Sequence, residues 1–274
     1  MRRGAGPRSL QPNSKIAFMI RWCCFCQRFL GESEPFDDPS FTHSICMPCD
    51  AKLERGDSLK KDTAQARSLV NAVIAAAKSR DWSSCEAAVA DARALQIGDD
   101  SLLLGLLQPA LYEAGREWQA GTLSVATEQQ VTSWCERIFS LLPIVEVDRP
   151  LDLLLLQAPG NIRVLGAQFA ARLLAQLGVS VEVVARHMPV EQIVVLAQQL
   201  RPRAIGFSCA MPASVQAANE VIATLKTQLE PGLNARYLLS GFAFRQGAGH
   251  ELPPVDAGIE VVVDVEALGR SLKT

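Results

Sequence analysis

Five of the eight cysteines in this 274-residue chain fall between Cys23 and Cys49. Four of them share one spacing: Cys23-x-x-Cys26, then 19 residues, then Cys46-x-x-Cys49. A CxxC turn directs both its sulfurs to one side, and two such turns can hold four thiolates tetrahedrally around one ion. The ion this set predicts is Zn²⁺. Cys24 and His43 are spare candidates. The stretch between the pairs contains Gly31, Pro35, Asp37, Asp38 and Pro39 and has too little core to fold without a staple. Clustering of this kind points to metal rather than to disulfides. Cys85, Cys135 and Cys209 stand alone in apolar contexts.

The second stretch with chemical potential is Ala158-Pro159-Gly160-Asn161-Ile162-Arg163-Val164-Leu165-Gly166. It follows an apolar run and opens an amphipathic segment. Strand, Pro/Gly turn and helix in that order make the mouth of an α/β sheet, where ligands bind. Signals for catalysis are poor. The chain has no GxGxxG after a strand, no GxxxxGK and no GxSxG elbow. Asp152 and Asp264 flank strands without an acid or base partner nearby in sequence.

The elements that position these residues follow from periodicity. Residues 1–20 read as a disordered tail and 21–55 as the zinc module, with 51–62 a linker or the start of a helix. Four helices are predicted over 64–79, 81–95, about 99–118 and 124–142. Asp81 or Ser83 caps the second, and Asp99 or Asp100 the third. They form a four-helix bundle over 63–146. Residues 150–274 change pattern. Near-continuous apolar runs at 151–157, 179–185, 204–209, 237–241 and 259–263 read as strands, the first three each followed by a helix (163–177, 190–200, 213–229). The fold class is therefore α/β: a doubly wound, five-stranded parallel sheet behind a helical bundle.

Net charge is −2, which gives no bulk electrostatic case for nucleic acid or membrane. No run reaches the roughly 18 apolar residues of a membrane helix, and residues 16–20 are too short for a signal-peptide core. A cytoplasmic protein is expected.

Local phrases narrow the reading. The segment Leu111 to Glu128, with Glu113-Ala114-Gly115-Arg116-Glu117-Trp118 and then Gly121 to Glu128, resembles the helical cap of cobalamin-binding modules, approximately EvGelWxxGeisvaxEh. The sheet domain then resembles their flavodoxin-like cobalamin-binding domain. This family includes methyltransferase corrinoid carriers and light-sensing, cobalamin-dependent transcriptional regulators. In the regulators a Trp, nine residues and Glu-His face the upper side of the corrin. Trp118 and Glu128 match, and Gln129 stands at the His position. The lower loop of the family, Asp-x-His-x-x-Gly, carries the cobalt-ligating His. Here it is Asn161-x-Arg163-x-x-Gly166. Ser208 matches the following serine motif, and Ser240-Gly241 stands for the late Gly-Gly that admits the nucleotide tail. A guanidinium offers no lone pair and stays protonated, so Arg163 cannot ligate cobalt. His187, after the second strand, is a substitute axial ligand, or simply a solvated loop histidine. His250 reads as exposed.

The resemblance implies a non-catalytic bacterial sensor that binds cobalamin, or another tetrapyrrole such as haem or a bilin, between cap and sheet. It would relay ligand or light state to a transcriptional or signalling partner. The alternatives are a corrinoid carrier subunit of a methyltransferase and a ligand-free adaptor of the same fold. The phrase Phe41 to Cys49 also resembles a cysteine module of some bacterial sensor kinases and response regulators, which favours a regulator or kinase as protein partner. The few basic residues leave direct nucleic-acid binding open, and a homo-oligomer is compatible with the sequence.

Overall fold

The structure, a computed structural model, describes residues 19–26, 28–33, 41–58, 65–79, 81–95, 97–161, 163–230, 232–244 and 252–273. The predicted tail up to residue 18, and His250, lie outside these residues.

The cysteine module has a small sheet of its own. Strand β1 (Met19–Cys23) pairs antiparallel with β2 (Phe29–Ser33) and parallel with β3 (Phe41–Ser44), and helix α1 (Met47–Glu54) comes next. The sequence reading named only the two CxxC turns here. Residues 51–54 of the stretch read as a linker or the start of a helix are the end of α1.

The bundle is the next unit. Helices α2 (Gln65–Ser79) and α3 (Trp82–Ala94) form a hairpin, with the Asp81 carboxylate accepting the Ser84 backbone N–H as N-cap. The predicted third helix is three pieces: α4 (Asp99–Leu102), a π-helical turn (Leu103–Leu107) and α5 (Gln108–Gln119). Its N-cap is Gly98, not Asp99 or Asp100. Asp99 is already helical, and its carboxylate pairs with Arg172 at 3.0 Å. Helix α6 (Val125–Ser140) starts from Ser124, whose hydroxyl accepts the Thr127 N–H. The bundle core includes Val73, Leu102, Leu106, Val131 and Ile138.

The last unit is built from β4 (Leu153–Gln157), α7 (Leu165–Gln176), β5 (Val181–Val184), α8 (Val190–Leu200), β6 (Ala204–Ser208), α9 (Pro212–Gln228), β7 (Arg236–Ser240), β8 (Ile259–Val262) and α10 (Val265–Lys273). The sheet is parallel throughout, in the order β5-β4-β6-β7-β8. Side chains alternate across a strand, and the core divides accordingly. Leu153 and Leu155 pack with Leu174 and Leu268 on one face. Leu154 and Leu156 pack with Ile193, Val215 and Ile222 on the other. All five residues of β4 are buried, as a central strand covered on both faces requires. The strand order reverses at β4 and β6, so the crevice beyond Gln157 and Ser208 is the topological switch point.

Bundle and sheet are joined through α7. Leu165 and Phe169 belong to the bundle core, and the Phe169 ring lies 5.5 Å from that of Phe139 on α6. On the opposite side of the switch point, Tyr112 of α5 packs on Phe242 at 5.2 Å.

Candidate functional site

Cys23 ends β1, Cys26 lies in the turn after it, Cys46 is the N-cap of α1 and Cys49 sits in its first turn. Their four sulfurs lie within 4.8 Å of one another, and Cys26 and Cys46 approach to 3.6 Å. Tetrahedral thiolates about 2.3 Å from a metal stand about 3.8 Å apart, so the set fits such an ion with little movement. Burial works against ionisation of Cys23, but the backbone N–H groups of Cys26, Cys46 and Phe25 aim at its sulfur and bring its thiol down to about 6. Burial pushes Cys26 and Cys49 up. Four sulfurs this close together are a cluster that a cation completes. Cys24 is buried but stands outside the cluster. His43 lies on β3.

The other three cysteines are inert by burial. It raises Cys85 to about 11 and Cys209 to about 12, and pushes Cys135 further up. An alkylating reagent at pH 8 is expected to leave all three unlabelled in the folded protein and to label them in denaturant, read by peptide mass spectrometry. Labelling of any of them under native conditions would contradict their burial.

At the switch point the loop after β4 is fixed from within. Asn161 Nδ2 donates to Gln157 Oε1 at 2.9 Å and to the Ser208 carbonyl at 2.8 Å, while its Oδ1 accepts the Arg163 N–H at 3.1 Å. Ser208 thus serves through its backbone. Ser240 does too: its carbonyl accepts the Cys209 N–H at 2.7 Å. Gly241 has φ +115°, and a Cβ there would lie 2.3 Å from the Cys209 carbonyl oxygen. That glycine is required by the protein's own backbone.

Arg163 reaches across to the bundle. Its guanidinium pairs with the carboxylate of Glu128, on the first turn of α6. The Glu128 side chain is 8% exposed and that of Arg163 46%. The residue at the predicted lower-ligand position and the residue at the predicted upper face therefore touch one another. Three apolar side chains on the elements that bear or flank these residues are exposed: Trp118 (41% exposed) at the end of α5, Val125 one turn before Glu128, and Met211 after β6. Gln129 is exposed on α6, and His187 is exposed in the segment between β5 and α8.

Two glycines at this boundary have no structural cause. Gly115 on α5 and Gly166 on α7 lack positive φ, and a Cβ at either would meet nothing within 4 Å. Gly inside a helix costs up to about 1 kcal/mol relative to Ala, and here nothing in the fold repays it. Sequence reasoning included Tyr112 and Gly115 only as part of the cap phrase and did not single out Phe242 or Gln157. Gln157 had a signal, a polar residue closing an apolar strand. It is 5% exposed, and its Nε2 has no partner among the described residues.

Residues 62–142 match the family described as B12 binding domain. Over 129 residues, 47% of its length, the chain is 30% identical to the HTH-type transcriptional repressor CarH of Myxococcus xanthus, and the match spans 43% of that protein. Among solved structures, the Methanosarcina barkeri monomethylamine corrinoid protein aligns with a TM-score of 0.58 at 13% identity, over 76% of this chain and 95% of that one. The bundle thus matches the B12 binding domain family over residues 62–142, and bundle and sheet together share the fold of the monomethylamine corrinoid protein.

Proposed function

We propose that the chain is a non-catalytic, cytoplasmic bacterial regulator that binds cobalamin or a related tetrapyrrole between bundle and sheet and passes the ligand or light state to a transcriptional or signalling partner. The observation that carries this reading is the Arg163–Glu128 pair. A carrier needs a side chain that ligates cobalt at position 163, and a guanidinium has no lone pair to give. A regulator needs a contact between two bodies that ligand can exchange. Arg163 and Glu128 supply one from each side. Two states of the bundle on the sheet then differ in whether this pair is made, and a ligand with unequal affinity for them shifts their populations.

The residues fit a flat, largely apolar group but not a metal-ligating role at Arg163. Trp118, Val125 and Met211 offer uncovered apolar surface, Gly115 and Gly166 admit close approach, and Gln157 Nε2 has a hydrogen bond to give. Cobalamin would supply a reactive cobalt and strong visible absorption. The chain's own part is to bind it, orient it and exclude water. In the cysteine module, Cys23, Cys26, Cys46 and Cys49 would hold Zn²⁺ as a structural ion.

The glycines give a test with opposite signs. Gly115→Ala and Gly166→Ala are each expected to stabilise the ligand-free protein, by up to about 1 kcal/mol, and to weaken tetrapyrrole binding. Thermal melts and equilibrium titrations read the two effects. A loss of stability would mean that the protein itself needs these glycines.

The reading as a whole is tested by visible spectra of the full chain with added cobalamins or haem, in the dark and in light, alongside melting curves. A spectral shift and a raised melting temperature with one of them are expected. No change with any of them favours the ligand-free adaptor, in which the Arg163–Glu128 pair is a permanent clasp.

A further inference from the structure

The cysteine module is not tethered to the bundle but inserted in it. Trp22 directly precedes the candidate metal ligand Cys23, and alternation along β1 sends the two side chains to opposite faces. The indole is fully buried and belongs to the bundle core with Leu102, Leu103, Leu106 and Leu107. It lies against Gly105, at the centre of the π-helical turn. A Cβ on Gly105 would meet the indole Cζ2 at 2.3 Å and Cη2 at 2.8 Å. Two more contacts close this seam: the Phe29 N–H donates to the buried Ser101 hydroxyl at 3.1 Å, and the Phe29 ring meets Trp22 edge-on at 6.0 Å. The indole N–H has no acceptor among the described residues, and shape and apolar contact hold the indole in place.

A glycine and a π turn are both unfavourable within a helix; the indole accounts for the glycine, and it sits at the centre of the π turn. The π turn inserts one residue relative to an α-helix, which rotates everything after it by about 100°. Helix α5 continues directly from the turn and carries Tyr112, Gly115 and Trp118. The turn is therefore an element with two registers. With Trp22 seated, Tyr112 meets Phe242 of the sheet unit. If the turn relaxed to α-helix, that face of α5 would point elsewhere.

We infer that the four-cysteine site is an input to the ligand site: a thiophilic divalent cation bound there seats Trp22 on Gly105, holds the π turn, and so fixes the face that α5 presents at the boundary with the sheet. The inference rests on the reading of the cysteines as a metal site. It couples two chemistries otherwise linked only by lying on one chain.

Hydrogen exchange on the full chain, zinc-loaded against metal-depleted, tests it. Elemental analysis first establishes the loading. Amides of residues 103–119 are expected to lose about tenfold or more of their protection on metal removal, together with those of the module. Trp22→Leu, which keeps all four thiols, is expected to retain about one equivalent of zinc while exchange in 103–119 becomes independent of it. One equivalent of zinc in the wild type with unchanged exchange in 103–119 on its removal overturns the inference and leaves the metal site standing. Well under one equivalent overturns the metal reading, and the inference with it.

Discussion

Replacing Arg163 with glutamate is expected to lower the melting temperature by roughly 4–8 °C, and the charge-swapped protein, with Glu128→Arg added, is expected to recover at least half of that. The native pair is worth little as an attraction, because its Arg163 half is nearly half exposed and water screens it. The reversal is costlier. It sets a second carboxylate against Glu128, which is buried and cannot turn to solvent. Two like charges about 4 Å apart at an effective dielectric near 20 repel by about 4 kcal/mol, and the exposed partner relieves part of this by swinging away. About 2 kcal/mol remains, which for a chain of this size gives the stated shift. The double-mutant cycle isolates the coupling from helix propensity or packing at either position. Simple additivity of the two substitutions would mean that the pair does not clasp bundle to sheet.

A second large effect is expected from Cys46→Ser. Structural zinc in small modules is worth on the order of 10–16 kcal/mol in apparent binding. Losing one of four thiolates should then weaken affinity by roughly a hundred- to a thousandfold, because a serine hydroxyl does not ionise near neutral pH. Competition with a chromophoric chelator measures this directly. Cys24→Ser is the control: Cys24 is buried beside Cys23 yet stands outside the cluster, so its zinc affinity should be unchanged. Equal losses in both variants would point to unfolding of the module rather than to removal of a ligand.

Much of the fold was legible in the sequence. The apolar runs that became β4 and β6 are buried from both faces, and such strands announce themselves by composition alone. Helix α8 falls where its periodicity put it. Three features were not legible, each because its cause is distant in sequence. The strands of the cysteine module are short and carry little apolar pattern, and β1 gains its burial through Trp22 in the core of another unit. The π turn has that same indole seated on its central Gly105, more than 80 positions away in the chain. Helix α10 was missed because it is short and carries Gly269, and its stability comes from Leu268 and Leu272 packing on α7 and the sheet.

The candidate site divides in the same way. The four cysteines could be read from spacing, since metal geometry constrains them locally. Arg163 and Glu128 were each singled out alone, but their pairing spans 35 residues and two units. The loop around Asn161 is likewise closed by the Ser208 carbonyl, 47 residues on. No local pattern encodes contacts of that range.

The central claim is that this fold binds its tetrapyrrole without any metal-ligating nitrogen from the protein, at position 163 or elsewhere. Electron paramagnetic resonance of cob(II)alamin bound to nitrogen-15-labelled protein tests it most directly, because a coordinating nitrogen splits the cobalt signal according to its isotope. The chain has three histidines, His43, His187 and His250. The account predicts a bound signal whose splitting carries no nitrogen-15 doublet, the protein contributing no nitrogen to cobalt. A nitrogen-15 doublet, lost in His187→Gln, would contradict it and make His187 the axial ligand.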